Sequence, residues 1–159
     1  PTCVAGGEIK NTIMMANSNK AHDGYLGDSV IGEWCNIGAG SSNSNIKNTA
    51  GDVKVWCEEN QEYVLSDMKK AGILMGDFSR CAINTAFNTG TVIGTCCNIF
   101  GNDNLPKHLP SFSWGKENYI LEKILIDIGR WMQMKKTVLT SPTIEMLIYL
   151  HQHIKSNKE

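Results

Sequence analysis

The chain has 159 residues, 42% of them hydrophobic and 19% charged, with a formal net charge of -1. That length suits one domain with an appendage, and the near-zero charge removes any broad electrostatic case for nucleic acid or a membrane surface as partner. No apolar run is long enough to span a bilayer and no signal peptide is visible, so the sequence reads as cytoplasmic.

In chain order, residues 1–18 are loosely patterned, with Val4, Ile9 and Ile13 as inward positions. The pattern is already under way at Pro1, so the sequence reads as part of a longer chain. Residues 19–40 are rich in Gly, Asn and Asp, as short strands with sharp corners demand; Ile31-Gly32 and Ile37-Gly38 stand six apart, with Leu26-Gly27 one residue short. Residues 41–51 are polar, a loop or irregular coil. Val53-Lys54-Val55-Trp56 alternates, Glu58-Glu59-Asn60-Gln61 breaks the run and Glu62-Tyr63-Val64-Leu65 resumes it, which predicts a projecting hairpin over about 52–66.

From Met75 the period is plain. Met75, Cys81, Phe87, Ile93 and Ile99 recur every six residues, and Phe78, Asn84, Gly90 and Cys96 fall three places on, where a tight corner belongs. Six matches neither the 3.6 of a helix nor the 2 of a strand. It matches a coil of three short parallel strands with one side chain per side turned into a shaft. The expected fold is therefore mainly β, a parallel β-helix of hexapeptide repeats spanning 1–115, with the repeat itself ending near Gly101. Residues 102–115 form a loop that packs its aromatics down. Residues 116–159 form a helical appendage, a C-terminal pair of α-helices: Ile120, Leu121, Ile124, Leu125, Ile128, Trp131 and Met132 make one stripe, and Ser141 caps a second helix with Pro142 at its first position. The helices are expected over the open end or across the flank of the solenoid, since an uncovered terminal coil is a sheet edge. The six cysteines show no CxxC spacing and read as reduced thiols, with Cys81 and Cys96 on the repeat.

The segment His22-Asp23-Gly24-Tyr25-Leu26-Gly27-Asp28, followed by Asn36-Ile37-Gly38-Ala39-Gly40 and then Asn45, resembles the acetyltransferase domain of the bifunctional N-acetylglucosamine-1-phosphate uridylyltransferase/glucosamine-1-phosphate acetyltransferase family. That family carries His-x-x-Tyr-Leu-Gly-Asp, Asn-Ile-Gly-Ala-Gly and a later Asn, with a Glu-apolar-Lys triplet upstream that Glu8-Ile9-Lys10 matches. The likeness is dense over residues 8–45; the Phe87 to Gly94 run, the Ser111 to Gly115 loop and the tail look like a divergent bacterial branch.

The resemblance implies a left-handed β-helix assembling as a homotrimer, with active sites between subunits. It implies transfer of an acetyl group from acetyl-CoA to the amine of glucosamine-1-phosphate, in UDP-N-acetylglucosamine synthesis, as part of a longer sugar-phosphate nucleotidyltransferase. By carry-over His22 is the general base, Lys10, Tyr25, Asn36 and Asn45 hold the sugar phosphate, and Ala39 lies where the backbone meets the acyl end of CoA. No metal is expected: related solenoid carbonic anhydrases need three histidines, and of the four here only His22 lies on the recognised coils.

The chemistry asks for these residue types on its own terms. An amine attacks a thioester as the free base, and His is the side chain that titrates near neutrality. Lys10 offers a point charge for phosphate, Asn amides both donate and accept, and corner N–H groups can meet an oxyanion. Residues 41–51 would wall the acceptor pocket. Each residue also has a plainer reading: His22 and Lys10 solvated, Tyr25 packed on the coil, Asn36 and Asn45 as corner or ladder residues. Three departures stand out. The family's phosphate-gripping Arg precedes the triplet and lies outside this sequence, a Lys near the acceptor has no clear counterpart, and Ile83 falls where a small residue is expected near CoA. An alternative from another class is a non-catalytic trimerisation or regulatory β-helix; a third is acyl transfer to another amino or hydroxy sugar nucleotide.

Overall fold

In the computed structural model, which describes residues 2–101 and 105–156, the hexads become a parallel β-solenoid. Its first side stacks Val4–Ala5, Asn19–Lys20, Asn36–Ile37, Arg80–Cys81, Asn98–Ile99 and Ser113–Trp114. The second side pairs Glu8–Lys10 with Tyr25–Gly27 and Ser42–Asn43 with Ala86–Phe87. On the third side, Ile13–Met14, Val30–Ile31, Leu74–Met75, Val92–Ile93 and His108–Leu109 run in register. One residue of each short strand points into the shaft. Ile31, Ile37, Met75, Cys81, Phe87, Ile93 and Ile99 are all at most 5% exposed, each such burial stabilising by about 1.5–3 kcal/mol for the larger side chains.

The corners fall where the spacing put them. Phe78, Asn84, Gly90 and Cys96 have φ of 59°, 57°, 68° and 56°. Asn and Gly enter that left-handed region at little cost, whereas Phe and Cys do not. What holds Phe78 and Cys96 there is a second core. Trp34, Phe78, Cys96 and Phe112 occupy the same corner of successive coils, and helix α1 (Leu121–Met134) and helix α2 (Ser141–Ser156) pack Ile124, Ile128, Met132 and Leu147 onto that row. The helices thus lie across the flank rather than over the end. The last coil is closed by Glu117–Asn118, which pairs antiparallel with Ser113–Trp114.

The inserted hairpin joins Lys54–Cys57 to Glu62–Leu65, antiparallel, with Cys57 opposite Glu62. Trp56 stacks on His108 at 4.3 Å, which seats the hairpin on the third side. Leu74–Met75 then resumes the coil against Val30–Ile31, as if the insertion were absent.

Four expectations are corrected. Val4 and Ile13 are 48% and 61% exposed, because in the short strands of the first coil the row in register with the inward residues falls one place later, on Ala5, itself exposed at the open end, and on Met14, which packs against the core as Ile9 does. The solenoid does not stop at Gly101, since His108–Leu109 and Ser113–Trp114 continue two of its sheets after a longer connection. His108 therefore lies on a coil, as His22 does. The α2 cap is Thr140, whose carbonyl accepts from Ile144 N–H at 3.0 Å, so Ser141 is already helical and Pro142 sits one place further in. All six thiols are free, and burial pushes those of Cys35 and Cys96 up to about 12.

Candidate active site

The corner after Asn19–Lys20 carries Ala21, His22, Asp23 and Gly24 and leads into Tyr25–Gly27. It sits hard on the first coil. A Cβ on Gly6 would lie 2.3 Å from the Ala21 carbonyl oxygen, and one on Gly7 would lie 2.7 Å from those of His22 and Gly24. The Gly6-Gly7 pair is the space this corner needs.

His22 is exposed, and it lines a concavity of about 550 Å³ together with Asn36 and Ala39. The first side of the solenoid forms the floor, with Asn19, Asn36 and Ile37. The end of α1 forms the opposite wall, with Trp131, Met134 and Lys135. Lys135 pins that wall in place: its Nζ donates to the Asn17 carbonyl at 2.6 Å and to Asn19 Oδ1 at 2.9 Å. Asn36 stands in the outward row of the first side, in register with Asn19 and Arg80. Arg80 is buried next along, its guanidinium carbon 5.1 Å from the Trp131 ring centroid. The Ala39 carbonyl accepts from Asn84 N–H at 2.7 Å, fixing that corner to the next coil. Ile83, 68% exposed, is a rim residue of the same concavity and leaves its mouth broad.

Lys10, Tyr25 and Asn45 do not line this concavity. They gather around Asp28. Asn45 Nδ2 donates to Tyr25 Oη at 2.9 Å and to Asp28 Oδ2 at 2.5 Å, and Asn11 Nδ2 donates to Asp28 Oδ1 at 3.1 Å. Tyr25 lies along its own strand over Gly27, where a Cβ would fall 2.0 Å from the phenolic oxygen. The Tyr-Leu-Gly-Asp order thus has a local cause: Leu26 fills the shaft, Gly27 clears room for the ring, and Asp28 anchors the amide that the ring meets. The Asn45 hydrogen bond, more than any other contact, holds the Asp28 carboxyl below the usual carboxylate range; Asn11 and the cations of Lys70 and Lys10 act the same way, against its partial burial. Burial first, then the charges of Asp28 and Glu8, push the Tyr25 hydroxyl up. It stays neutral, and because it accepts from Asn45 its own O–H is left to donate.

Several contributors were missed in the sequence. Lys70 stands near Asp28 and lines a second hollow of about 370 Å³ with Asn11, Val55 and Met68, where the hairpin rejoins the coil; the Lys69-Lys70 pair was the available signal. Trp131 and Met134 lie on, and Lys135 caps, a helix whose sequence shows only a buried stripe. The segment 41–51, expected to wall the acceptor pocket, is absent from the lining of the His22 concavity. Its Ser42–Asn43 is a solenoid strand, and Asn43 turns into the shaft to bond Gly27 N–H at 2.9 Å and the Gly27 carbonyl at 3.1 Å. A third hollow of about 320 Å³, around Phe100, Leu105 and Leu109, includes none of these residues. Among the described residues no group of three or more His, Cys, Asp or Glu could hold a metal ion.

Comparison with known proteins finds longer bifunctional proteins similar to this chain. The bifunctional protein GlmU of Methanocaldococcus jannaschii is 29% identical over 119 residues, covering 74% of this chain and 28% of that protein. GlmU of Methanococcus aeolicus is 32% identical over 119 residues, 72% of this chain and 28% of that protein. The bifunctional sugar-1-phosphate nucleotidylyltransferase/acetyltransferase of Sulfurisphaera tokodaii is 33% identical over 93 residues, 58% of this chain and 23% of that protein. The chain therefore spans about a quarter of the length of such relatives. No protein-family model matches it.

Proposed function

We propose, from the fit of this chain's sequence and β-solenoid to the acetyltransferase domain of the bifunctional GlmU proteins, that it is the acetyltransferase part of a longer sugar-phosphate nucleotidyltransferase. The donor is acetyl-CoA, the acceptor is the amine of glucosamine-1-phosphate, and the product serves UDP-N-acetylglucosamine synthesis. The observation that carries the reading is the concavity that gathers His22, Asn36 and Ala39 beneath α1.

His22 acts as general base. The amine nitrogen forms a bond to the thioester carbonyl carbon while its proton passes to the imidazole; the tetrahedral oxyanion collapses, the carbon–sulfur bond breaks, and the imidazolium returns the proton to the departing thiolate. Asn36 and the O–H of Tyr25 bind sugar hydroxyls or phosphate, with Asn45 holding the phenol. Lys10 supplies positive charge on the Tyr25 side. Ala39, Ile83, Trp131 and Met134 offer the apolar walls that a pantetheine arm prefers, and Ala39 lies at the acyl end. A homotrimer belongs to the same reading: Leu74 and Ile13 are 42% and 61% exposed on the outward row of the third side, and symmetric packing would cover them.

The experiment is thiol release from acetyl-CoA in the presence of glucosamine-1-phosphate, with galactosamine-1-phosphate and other amino sugars as competitors. His22→Ala should cut release to a small residual rate while leaving the melting temperature unchanged; undiminished turnover in that variant removes His22 from the role of base. A second reading, an assembly scaffold with a vestigial site, is favoured by one observation: Tyr25 and Asn45, hydrogen-bonded to each other, stand apart from the His22 concavity. A ligand that binds only the folded state raises its melting temperature, so a chain that shows no shift at millimolar acetyl-CoA, and sediments as a trimer, is the scaffold.

A further inference from the structure

The first side of the solenoid holds one inward residue out of keeping with the rest. In the third, fourth and fifth coils that place is taken by Ile37, Cys81 and Ile99; in the second coil it is Lys20, which is 1% exposed. Its ammonium lies in the shaft without an ion pair among the described residues. Instead Nζ donates to the carbonyl oxygens of His22 at 2.7 Å, Asp23 at 2.7 Å and Gly6 at 3.5 Å. An ammonium has three donors, and three acceptors meet them. Burial pushes its pKa down, while the nearby charge of Asp23 opposes the shift.

The reason lies in the corner itself. The four-residue corners of the next two coils place their left-handed residue third, at Gly40 with φ of 73° and Asn84 with φ of 57°. The corner with His22 places it fourth, at Gly24 with φ of 104°. With that one-residue delay the His22 and Asp23 carbonyls are met from inside the shaft. Without that donor, each would be a part-buried acceptor short of its partner. A chain that needed only a turn could repeat the corner of the coils above it, with an apolar side chain inside.

We propose that Lys20 is a positioning residue for His22: from inside the shaft it fixes the corner that presents the imidazole to the concavity shared with Asn36 and Ala39. The proposal rests on the reading of His22 as the base, and its test separates the two. In the wild-type full chain, reductive methylation should leave Lys20 unmodified while exposed Lys10 and Lys54 react; methylation of Lys20 at their rate overturns the buried clamp, whatever the activity. In Lys20→Met, amide hydrogen exchange should quicken at residues 21–25 and stay unchanged at Val30, Leu74 and Val92. The kcat for thiol release should fall about 10- to 100-fold, with KM for acetyl-CoA within about threefold of wild type, and Lys20→Gln, which keeps two donors, should recover part of the loss. In a His22→Ala background Lys20→Met should change the residual rate no further, as required of a residue acting through the imidazole. An equal loss in both backgrounds, or exchange quickened throughout the coils, overturns the proposal. A wild-type chain that releases no CoA defeats the reading of His22 and leaves the methylation and exchange results to judge the clamp.

Discussion

Gly27→Ala isolates the Tyr25–Asp28 cluster from the rest of the fold. The three atoms nearest a Cβ at position 27 all belong to Tyr25: Oη at 2.0 Å, Cζ at 2.3 Å and Cε1 at 2.6 Å. No backbone atom is closer, so the strand can stay in place and the half-buried ring must swing out. It then loses the hydrogen bond from Asn45, about 0.5–1.5 kcal/mol, together with part of its packing, a further cost on the order of 1 kcal/mol. The sum is about 1.5–2.5 kcal/mol, or roughly 3–10 °C in melting temperature for a chain of this size. The same alanine in a Tyr25→Ala background meets none of those atoms. There it should be neutral or stabilise by up to about 1 kcal/mol, since Gly in a strand interior is unfavourable. Thermal melts of wild type, both single variants and the double variant complete the cycle. A cost for Gly27→Ala that is equal in both backgrounds would refute the account, because the clash would then lie with the coil and not with the phenol.

Asp28 gives the same cluster a pH signature. Its folded pKa is depressed, so its contribution is fully present above the unfolded value of about 3.9 and is lost as pH falls from there through the folded value; the melting-temperature gap between wild type and Asp28→Asn should hold steady at neutral pH and narrow below about pH 4, and a gap independent of pH counts against the depressed carboxylate. Asn suits the site's backbone, with φ of 50°. For the α1 wall, Met134 is 75% exposed and touches the His22 concavity, so Met134→Glu should leave the melting temperature within about 0.5 kcal/mol of wild type. The same change should raise KM for acetyl-CoA several-fold, read by thiol release; an unchanged KM detaches α1 from the donor site.

The solenoid was legible because a six-residue period has one dominant physical cause. Each of Met75, Cys81, Phe87, Ile93 and Ile99 fills the shaft once per side, and no helix or flat sheet repeats that way. Legibility failed where the cause is not periodic. In the first coil the side lengths vary, so Val4 and Ile13 looked inward while Met14 is the one that packs. After Gly101 a longer side breaks the count, although hydrogen bonding recovers the register at His108. Aromatics at left-handed corners could not be anticipated from local preference at all. Trp34, Phe78 and Phe112 accept that backbone because α1 and α2 cover them, a tertiary reason that outweighs the local one.

The candidate site divides along the same line. His22, Tyr25, Asn36 and Asn45 were visible as motif letters, yet letters carry no information on which corner faces which hollow. The structure separates them into an imidazole–amide hollow under α1 and a phenol–amide–carboxylate knot beyond Gly27. Lys20 escaped notice for the opposite reason, since a lysine in a Gly- and Asn-rich stretch reads as solvated. On the reading proposed above, the hollow and the knot would serve one transfer from a single coil. The apolar wall from α1 faces the acyl donor, Asn36 and the Tyr25 O–H face the sugar phosphate with the cations of Lys10 and Lys70 near Asp28, and His22 stands on the corner between the first and second sides. If that division holds, Met134→Glu and Gly27→Ala should raise KM for different substrates, acetyl-CoA for the first and the sugar phosphate for the second. Variants that shift both constants together would mean that one hollow serves both ligands.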